Sequence, residues 1–402
     1  MRVLLSFENF AGFGGTETYT LTVAKELDRL GHDVAIYSPN RGAMAEFARE
    51  QGVRVIGRGE LPRSFDLLIS SDAATCHELA ARSQDAVRIF VVHSVDFMLQ
   101  APPQLPDRCH AVVVLNDRVR RAVEARNWHA PIVRMRQPID LPRFEGLGPG
   151  RANARTVVVA SNYLKGARAQ LIEDACLANG LDVRWIGAKG ETTPSPELAI
   201  AGAKLVIGLG RSVLEAMAAS RAAYVYGVIG GDGWVTPDRY PAMEADGFAG
   251  TSAADLVIDG PRLADDLGSW DENMGQLNRD LAAAHHTARE HAVELVDLSR
   301  RLDVSLFAEP AFGEEFAHLI RLQQQGEARA ILNLAEVDRL SSLLARANAD
   351  LAQMEAAARA ANDTARAANE RLAAFRGTRR YRLACRIASP VERIRARLGT
   401  TR

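Results

Sequence analysis

A glycine-rich turn followed by a charged helix is the part of this chain best suited to hold an anionic ligand. Backbone N–H groups approach an anion closely at glycines, and a helix N-terminus adds partial positive charge there. Arg211 supplies a cation at the same place, and Glu215, one turn inside the predicted helix, can accept hydrogen bonds from ribose hydroxyls. The pattern predicts a site for a nucleoside diphosphate. The residues of this turn are Gly208, Leu209, Gly210, Arg211 and Ser212.

The turn must be positioned by the strands on either side of it. An apolar strand at 205–207 precedes it, a helix runs through 214–218, and a second strand at 223–226 ends in a glycine-rich loop. Strand, turn, helix and strand form the βαβ unit of a parallel sheet. Such sheets bind ligands at the carboxyl ends of their strands.

This segment resembles the donor-binding half of retaining GT-B glycosyltransferases, family 4 in particular. That family carries a Glu-x7-Glu motif whose second Glu lies in a helix similar to 214–218. The first Glu would fall at Ile207, so the family's sugar contact must come from elsewhere or be absent. The alternative is an ordinary Rossmann-like unit in which Glu215 faces water.

A second glycine turn follows the first predicted strand, Arg2 to Ser6. It does not fit a dinucleotide motif, because the third glycine of that motif would fall at Glu17 and no acidic residue ends the second strand. The sequence from Gly14 to Glu17 resembles instead the G-G-x-E turn of family 4. The resemblance implies that Gly14 and Gly15 approach the donor phosphates and that Glu17 faces the cleft as a catalytic residue, ahead of a helix predicted from Leu21 to Leu30.

His93 follows an apolar run at the carboxyl end of a predicted strand, 87–92. In similar enzymes a histidine at this place lies near the reacting anomeric carbon, so the resemblance implies a catalytic role. The alternative is a histidine that caps a strand end. Further alternation of strands and helices is predicted over strands 53–56, 66–69, 111–115 and 132–134 and helices 44–50, 74–82 and 118–126.

A proline- and glycine-rich stretch after residue 137 predicts the boundary between two domains, and it resembles the family's interdomain linker. The second domain restarts with a strand at 156–160, a loop and a helix at 167–179, and a further strand at 182–186. In the loop, Asn162 and Lys165 are predicted donor-binding residues, since the family places a Lys-Gly pair here to hold the pyrophosphate. The predicted domains are 1–145, on the acceptor side, and 146–270, which binds the nucleotide sugar.

Composition excludes several other classes of protein. The formal net charge of −1 argues against nucleic acid as a partner, and four widely separated cysteines suggest neither a zinc site nor a disulfide framework. No apolar run is long enough to cross a bilayer and no signal-peptide pattern is present, which predicts a cytoplasmic protein. No Asp-x-Asp occurs, so we expect metal-independent catalysis without a cofactor. His285, His286 and His291 are interpreted as part of a solvated helix rather than as metal ligands.

The chain beyond residue 270 is predicted to be helical. A single long helix is predicted from 272 to 300. The resemblance to GT-B folds implies that it belongs to a returning segment, 271–310, that leads back to the first domain. A heptad pattern follows within an extension, 311–375, and predicts a coiled coil that makes the protein a homo-oligomer. The alternative is a single alanine-rich helix that lies along the catalytic body. The core positions are Ala330, Val337, Leu344, Leu351, Ala358, Ala365 and Leu372, with Asn333, Leu340, Ala347, Met354, Ala361, Ala368 and Phe375.

The final segment, 376–402, contains nine arginines and one acid, Glu392, with apolar residues at near-helical spacing. A basic amphipathic segment of this kind can lie on an anionic membrane surface. Binding to RNA and simple disorder are the competing interpretations.

Three functions remain open at this point. The first is a retaining hexosyltransferase that moves a sugar from a nucleotide-sugar donor to a glycan or lipid-linked acceptor in surface or exopolysaccharide biosynthesis. The others are a nucleotide-sugar epimerase of the same fold and a catalytically silent GT-B scaffold in a polysaccharide assembly complex.

Overall fold

The structure, a computed structural model, describes most of residues 1–386. It leaves out 81, 83–84, 96–98, 104, 106–107, 127–129, 147–154, 188, 191–192, 194, 272 and 305–311, together with 387–402 and the side chains of 335 and 338. The chain forms two compact units, Met1–Gln325 and Gly326–Arg402.

The first unit begins with a seven-stranded sheet whose strands are all parallel, in the order β5-β3-β1-β6-β7-β8-β9. Apolar strands covered on both faces by helices make such a sheet. Its elements, with a short strand pair β2–β4 beside it, are β1 (Arg2–Ser6), β2 (Asn9–Phe10), α1 (Gly15–Arg29), β3 (Asp33–Tyr37), β4 (Asn40–Arg41), α2 (Ala43–Glu50), β5 (Val55–Ile56), β6 (Leu67–Ser70), α3 (Ala73–Ala80), β7 (Val87–Val92), β8 (Ala111–Val114), α4 (Asp117–Glu124) and β9 (Ile132–Arg134).

A second sheet of five strands follows, in the order β11-β10-β12-β13-β14. The pairs among β10 to β13 are parallel and β14 is antiparallel to β13. A 3-10 turn at Leu141–Phe144 lies between the two sheets. The elements are β10 (Thr156–Ala160), α5 (Gly166–Ala178), β11 (Asp182–Ile186), α6 (Pro196–Ala201), β12 (Leu205–Gly208), α7 (Arg211–Ala218), β13 (Ala222–Gly227), β14 (Gly230–Trp234), α8 (Tyr240–Ala245) and α9 (Gly260–Gly268).

The glycine-rich segment after 226 was predicted as a loop, and that prediction is wrong because the segment forms β14. Glycine is needed where β14 passes β13: a Cβ on Gly231 would lie 2.0 Å from the carbonyl oxygen of Val225. Gly230 and Gly233 have φ of 114° and 81°, which side chains rarely adopt. Close backbone approach thus replaces the side-chain pattern by which a strand is usually recognised.

The first helix begins earlier than predicted, at Gly15 rather than at Leu21. The carbonyl oxygen of Gly14 accepts hydrogen bonds from the backbone N–H and the hydroxyl of Thr18. Glu17 therefore lies in the first turn of α1 and not in a free loop.

The returning segment contains two helices, α10 (Met274–His285) and α11 (Ala288–Arg301), so the prediction of one helix from 272 to 300 is wrong. Thr287 ends the continuity because its hydroxyl accepts a hydrogen bond from the N–H of Glu290 and caps α11. Ala282 of α10 packs into the core beside the second sheet, whereas Leu295 of α11 packs into the core of the first. The chain thus returns to the first domain.

A long helix, α12 (Gly313–Gly377), begins in the first unit and forms most of the second. In the second unit the described side chains from 328 to 380 are exposed. Within the described part of the chain, none of the helices combines the length and apolar character that crossing a membrane requires. Most of the predicted basic segment, 387–402, lies outside the described residues.

Candidate functional site

A cavity of about 370 Å³ opens where β10, β11 and β12 end and α1 begins. It brings together residues from both domains, since the glycine turn before α1 forms one wall and the ends of the second sheet's strands form the other. The lining residues are Phe13, Gly14, Gly15, Thr18, Arg143, Ala160, Ser161, Asn162, Tyr163, Ile186, Gly187, Thr193, Pro196, Leu209, Arg211, Ser212 and Glu215. A crevice at the carboxyl ends of parallel strands is the expected ligand site of such a fold.

Arg211 and Glu215 form a buried ion pair in the wall of this cavity. Both lie on α7, and Arg211 Nε is 3.3 Å from Glu215 Oε1. Gly210, with φ of 56°, allows the backbone to enter the helix directly before Arg211. Burial raises the pKa of Glu215, and the charge of Arg211 opposes that rise. The pair places one carboxylate and one cation in the first turns of α7, at its N-terminus.

The Arg211 guanidinium also joins three segments of the chain. It donates hydrogen bonds to the carbonyl oxygen of Pro138, at 3.1 Å, and to the hydroxyl oxygen of Thr22 on α1, at 3.3 Å. Arg211 thus holds the first domain and the linker against the helix that carries Glu215.

Arg143 is a second cation on this cavity. It lies on the 3-10 turn of the linker and donates a hydrogen bond of 2.6 Å to Glu197. From the sequence, Arg143 belongs only to the linker predicted after residue 137, because no local motif marks a linker arginine that reaches a site built by distant strands. Two arginines therefore face the same cavity.

The loop after β10 forms the floor of the cavity near Asn162. The neighbouring Gly187, at the end of β11, has φ of 101°, and a Cβ there would lie 2.6 Å from Asn162 Oδ1 and from the carbonyl oxygen of Ser161. This close approach requires glycine. Tyr163 is 74% exposed at the rim, so its ring is available to a ligand.

The structure brings only part of the predicted site together. Gly14, Gly15, Asn162, Arg211, Ser212 and Glu215 line the cavity. The other predicted site residues are not among its lining residues: Glu17, His93, Lys165, Gly208 and Gly210. Lys165 is exposed at the start of α5, and a Cβ on Gly208 would lie 2.4 Å from Ser212 Oγ, so Gly208 lets Ser212 approach the strand.

Glu17 folds back on the glycine turn that forms the cavity wall. A Cβ on Gly14 would lie 2.4 Å from Glu17 Oε2, so glycine makes room for the carboxylate. Burial raises the pKa of Glu17 to about 7, although a backbone hydrogen bond opposes the shift. Glu17 is therefore a carboxyl group able to exchange a proton near neutral pH.

His93 lies at the end of β7 beneath Tyr19, with ring centroids 4.7 Å apart. Burial, with the charges of Arg211 and His291 as smaller causes, lowers the pKa of His93 to about 3, so the imidazole is neutral. Its Nε2 is buried with no hydrogen-bond partner among the described residues. The Tyr19 hydroxyl lies 2.8 Å from Nε2 of His291 on α11.

Ile207, which stands where the family motif has its first Glu, is fully buried in the core on one face of the second sheet. It contributes to packing and cannot reach a ligand in the cavity.

The first sheet has a buried acidic cluster that no sequence pattern predicts. Glu8 follows β1 and Glu78 lies on α3, and both ion-pair with Arg321 of α12. Since β3 and β6 flank β1 on opposite sides, this is the switch point of the first sheet, where ligands commonly bind. Here an arginine of the same chain occupies it. Separate carboxylates and one distant arginine carry no recognisable spacing, so only the fold reveals the cluster.

His286 and His291 of the returning segment are buried, contrary to the prediction of a solvated helix, whereas His285 is half-buried. His286 is buried and its ring bonds the carbonyl oxygen of Gln137 and the hydroxyl of Tyr240, each at 2.8 Å. His291 is buried against Tyr19. Among the described residues, no group of three or more His, Cys, Asp or Glu side chains is placed to hold a metal ion.

Residues 13–167 match the family model Glycosyltransferase Family 4. No curated protein matches the chain. The structure of Anabaena Alr3699/HepE in complex with UDP and glucose is 13% identical and has a TM-score of 0.50, with 74% of this chain and 100% of that chain covered. An alpha-glucosyltransferase in complex with UDP and a 13-mer DNA is 12% identical, with a TM-score of 0.54 and coverage of 75% and 100%.

At these identities the structural similarity establishes the fold. The predicted GT-B architecture, two Rossmann-like domains with a cleft between them and a C-terminal helical extension, is confirmed. The resemblance to family 4 is confirmed for residues 13–167. Pairing of the extension into a coiled coil stays a prediction.

Proposed function

We propose that this chain is a glycosyltransferase that moves a sugar from a nucleoside-diphosphate sugar to a glycan or lipid-linked acceptor. The observation that carries the proposal is the cavity between the two domains, in which the Glu215 carboxylate and two arginines face the ends of parallel strands. A ribose needs a hydrogen-bond acceptor and a diphosphate needs cations, and the cavity offers both.

Glu215 accepts hydrogen bonds from the ribose hydroxyls in this proposal, and Arg211 and Arg143 hold the diphosphate. Gly14, Gly15 and the start of α7 add backbone N–H groups. The proteins of similar fold that were solved with UDP make a uridine nucleotide the first donor to test. Because Ile207 is buried, the sugar contact must come from other cavity residues, and Asn162 and Tyr163 at the rim are the candidates.

Catalysis is proposed to be retaining and metal-independent, with a hexose transferred. Glycosyl transfer passes through an oxocarbenium-like state, which cleft groups stabilise. Glu17 exchanges a proton near neutral pH, and the neutral His93 packs against Tyr19 of α1. We further propose a role in surface or exopolysaccharide biosynthesis. In this proposal the extension pairs as a coiled coil, and the basic segment 376–402 lies at the cytoplasmic face of a membrane.

A catalytically silent scaffold is the second candidate, and two observations favour it. The residue in place of the family's sugar-binding Glu is packed in the core, and Arg211 is already bonded to Pro138 and Thr22. The epimerase alternative has no such observation in its favour.

The deciding experiment uses purified full-length protein with UDP, GDP and their hexose conjugates. A rise in melting temperature identifies the nucleotide, since a ligand that binds only the folded state stabilises it. Release of UDP or GDP on addition of short glycan acceptors then measures transfer. Binding without transfer, for every donor and acceptor tried, supports the scaffold, and the absence of any binding contradicts the donor site itself.

A further inference from the structure

The heptad pattern of α12 carries charges that distinguish between the ways two copies can pair. We propose that residues 327–376 bind the same segment of a second copy of this chain in antiparallel orientation, with Leu351 facing the partner's Met354. This inference rests on the proposed oligomer, and it is independent of whether the protein transfers sugar.

The surface that needs a partner is an apolar seam on one face of the helix. Its side chains are exposed in the single chain: Leu340 is 51% exposed, Leu344 64% and Met354 69%. The residues recur every seven positions at two places in the heptad, which is the pattern of a coiled-coil interface. Pairing would remove this seam from water.

A parallel pair brings like charges together. In that orientation the residue directly before the first core position of each heptad, such as the one before Leu351, faces the partner's residue five positions further along. Asp350 would then lie against the partner's Glu355, and Arg371 against the partner's Arg376. Each contact occurs twice in a symmetric dimer, and such contacts destabilise pairing.

An antiparallel pair centred between 351 and 354 places opposite charges together. In this orientation equivalent flanking positions of the two helices face each other. Glu336 then meets the partner's Arg371, and Glu327 meets the partner's Arg376. Glu336 already bonds Arg339 of its own helix, at 2.6 and 2.7 Å, so the partner's arginine would complete a small network of charges.

The register is specific, because a shift by one heptad in either direction is unfavourable. One shift would bring Glu355 against the partner's Glu355. The opposite shift would bring Asp350 against the partner's Asp350. Of these three registers, only the one centred between 351 and 354 avoids like charges at these flanking positions.

Side-chain sizes favour the same arrangement. The first half of the seam contains Val337, Leu340 and Leu344, and the second half contains alanines at 358, 361, 365 and 368. Antiparallel pairing sets Leu340 against the partner's Ala365 and Leu344 against the partner's Ala361, so large residues meet small ones. Parallel pairing would set leucine on leucine and then alanine on alanine, which requires the helix separation to change along the pair.

Disulfide trapping in the full-length protein tests the orientation. Asn333→Cys and Leu372→Cys are made separately with Cys385→Ser, since Cys385 is the exposed cysteine among the described residues and the other three are buried. Positions 333 and 372 face each other only across an antiparallel pair, and along one helix they are about 58 Å apart. Mixing the two variants under reducing conditions and then oxidising should give a cross-linked heterodimer, whereas each variant alone should stay uncross-linked.

Charge reversal gives a second, independent test. Arg371→Glu should raise the dimer dissociation constant several-fold, and Glu336→Arg combined with it should restore most of the affinity. In a parallel dimer Arg371→Glu would instead tighten pairing, because it removes the contact with Arg376. Arg366→Glu is the matched control, since Arg366 is 80% exposed and lies away from the seam.

The proposal is overturned by efficient cross-linking of Leu372→Cys alone, by the absence of a cross-linked product from the mixture, or by a monomer in sedimentation velocity at every concentration. None of these measurements depends on nucleotide binding or turnover, so failure here leaves the proposed activity to its own test.

Discussion

Arg211 on α7 reaches the first domain, where its Nη2 lies 3.3 Å from the hydroxyl oxygen of Thr22. The same guanidinium ion-pairs with Glu215, so one buried cation connects the two domains to the carboxylate that faces the cavity. In the proposed donor site, nucleotide binding and the relative placement of the domains would be coupled through this side chain. Changes at this pair should affect both nucleotide affinity and stability.

Glu215→Ala should weaken binding of the donor nucleotide by about 1–3 kcal/mol, the cost of losing a charge-assisted hydrogen bond. It should also lower the free energy of unfolding, because Arg211 would remain buried without its carboxylate. Calorimetric titration with UDP and urea unfolding measure the two effects. The matched control is Glu124→Ala, which breaks an exposed pair of the same spacing with Arg120. A folded Glu215→Ala variant that binds UDP or GDP as the wild type does would show that the donor site is misplaced.

Glu17 should make stability depend on pH. Its pKa is about 7 in the folded protein against 4.5 for a free side chain. The stability it contributes is fully present below about pH 4.5 and is lost as pH rises towards about 7. Asp72, whose pKa burial also raises to about 7, acts in the same direction, so the comparison must be with Glu17→Gln. Urea unfolding between about pH 4 and pH 8 should show a steeper decline for the wild type. Parallel curves would contradict the burial of this carboxyl.

Substitutions at Glu17 and His93 should affect turnover more strongly than they affect donor affinity. Glu17 packs on the glycine turn that lines the cavity and His93 packs against Tyr19 of α1, so both support the wall that faces the transition state. Glu17→Ala and His93→Ala should therefore lower kcat before they change the nucleotide dissociation constant. An inflection of kcat near pH 7 should vanish in Glu17→Gln and persist in His93→Ala, because His93 has a pKa of about 3 and stays neutral. Unchanged kcat in both alanine variants would show that neither residue contributes to the transfer step.

Arg321 should be a major source of stability in the first unit. Burial by itself would raise the pKa of Glu78, but hydrogen bonds from Arg321 and Tyr37 to its carboxylate lower that pKa below its usual value. Arg321→Ala would leave Glu8 and Glu78 buried with this partner lost, which typically costs about 3–5 kcal/mol.

Urea unfolding of Arg321→Ala beside Arg300→Ala measures this effect. Arg300 pairs with Asp297 at the surface, where a pair contributes at most about 1 kcal/mol. Equal losses in the two variants would show that the cluster is not a buried network.

Regular elements could be predicted from the sequence because local patterns determine them. The strands 2–6, 87–92, 132–134, 156–160 and 182–186 have the predicted bounds. Strand β14 could not be predicted, since Gly230 and Gly231 form it through close backbone contact rather than through apolar side chains. The break at Thr287 was missed because a cap inside a continuous apolar pattern resembles an ordinary helical threonine.

The candidate site could be predicted only where a motif is local. Arg211 and Glu215 lie one turn apart on one helix, so their spacing predicted their shared place in the cavity wall. Arg143 and Arg321 reach their sites from distant segments, and nothing in the spacing of their neighbours indicates this. His93 was predicted to follow the carboxyl end of a strand, and it directly follows β7, but the ring of Tyr19 that covers it comes from α1, which is distant in sequence.

Deleting residues 327–402 should give a monomer that still binds nucleotide and no longer sediments with anionic vesicles. The deletion removes the seam of α12, which is exposed in the single chain, and the basic segment 376–402. Each arginine near an anionic bilayer contributes about 1 kcal/mol, and a dimer carries two copies of the segment, so a weak affinity is multiplied.

Deleting 387–402 alone is the control that keeps the seam and should leave the dimer intact. Sedimentation velocity and vesicle co-sedimentation at low salt measure the two halves. A monomeric full-length chain would contradict the first half, and equal vesicle binding with and without the basic segment would contradict the second.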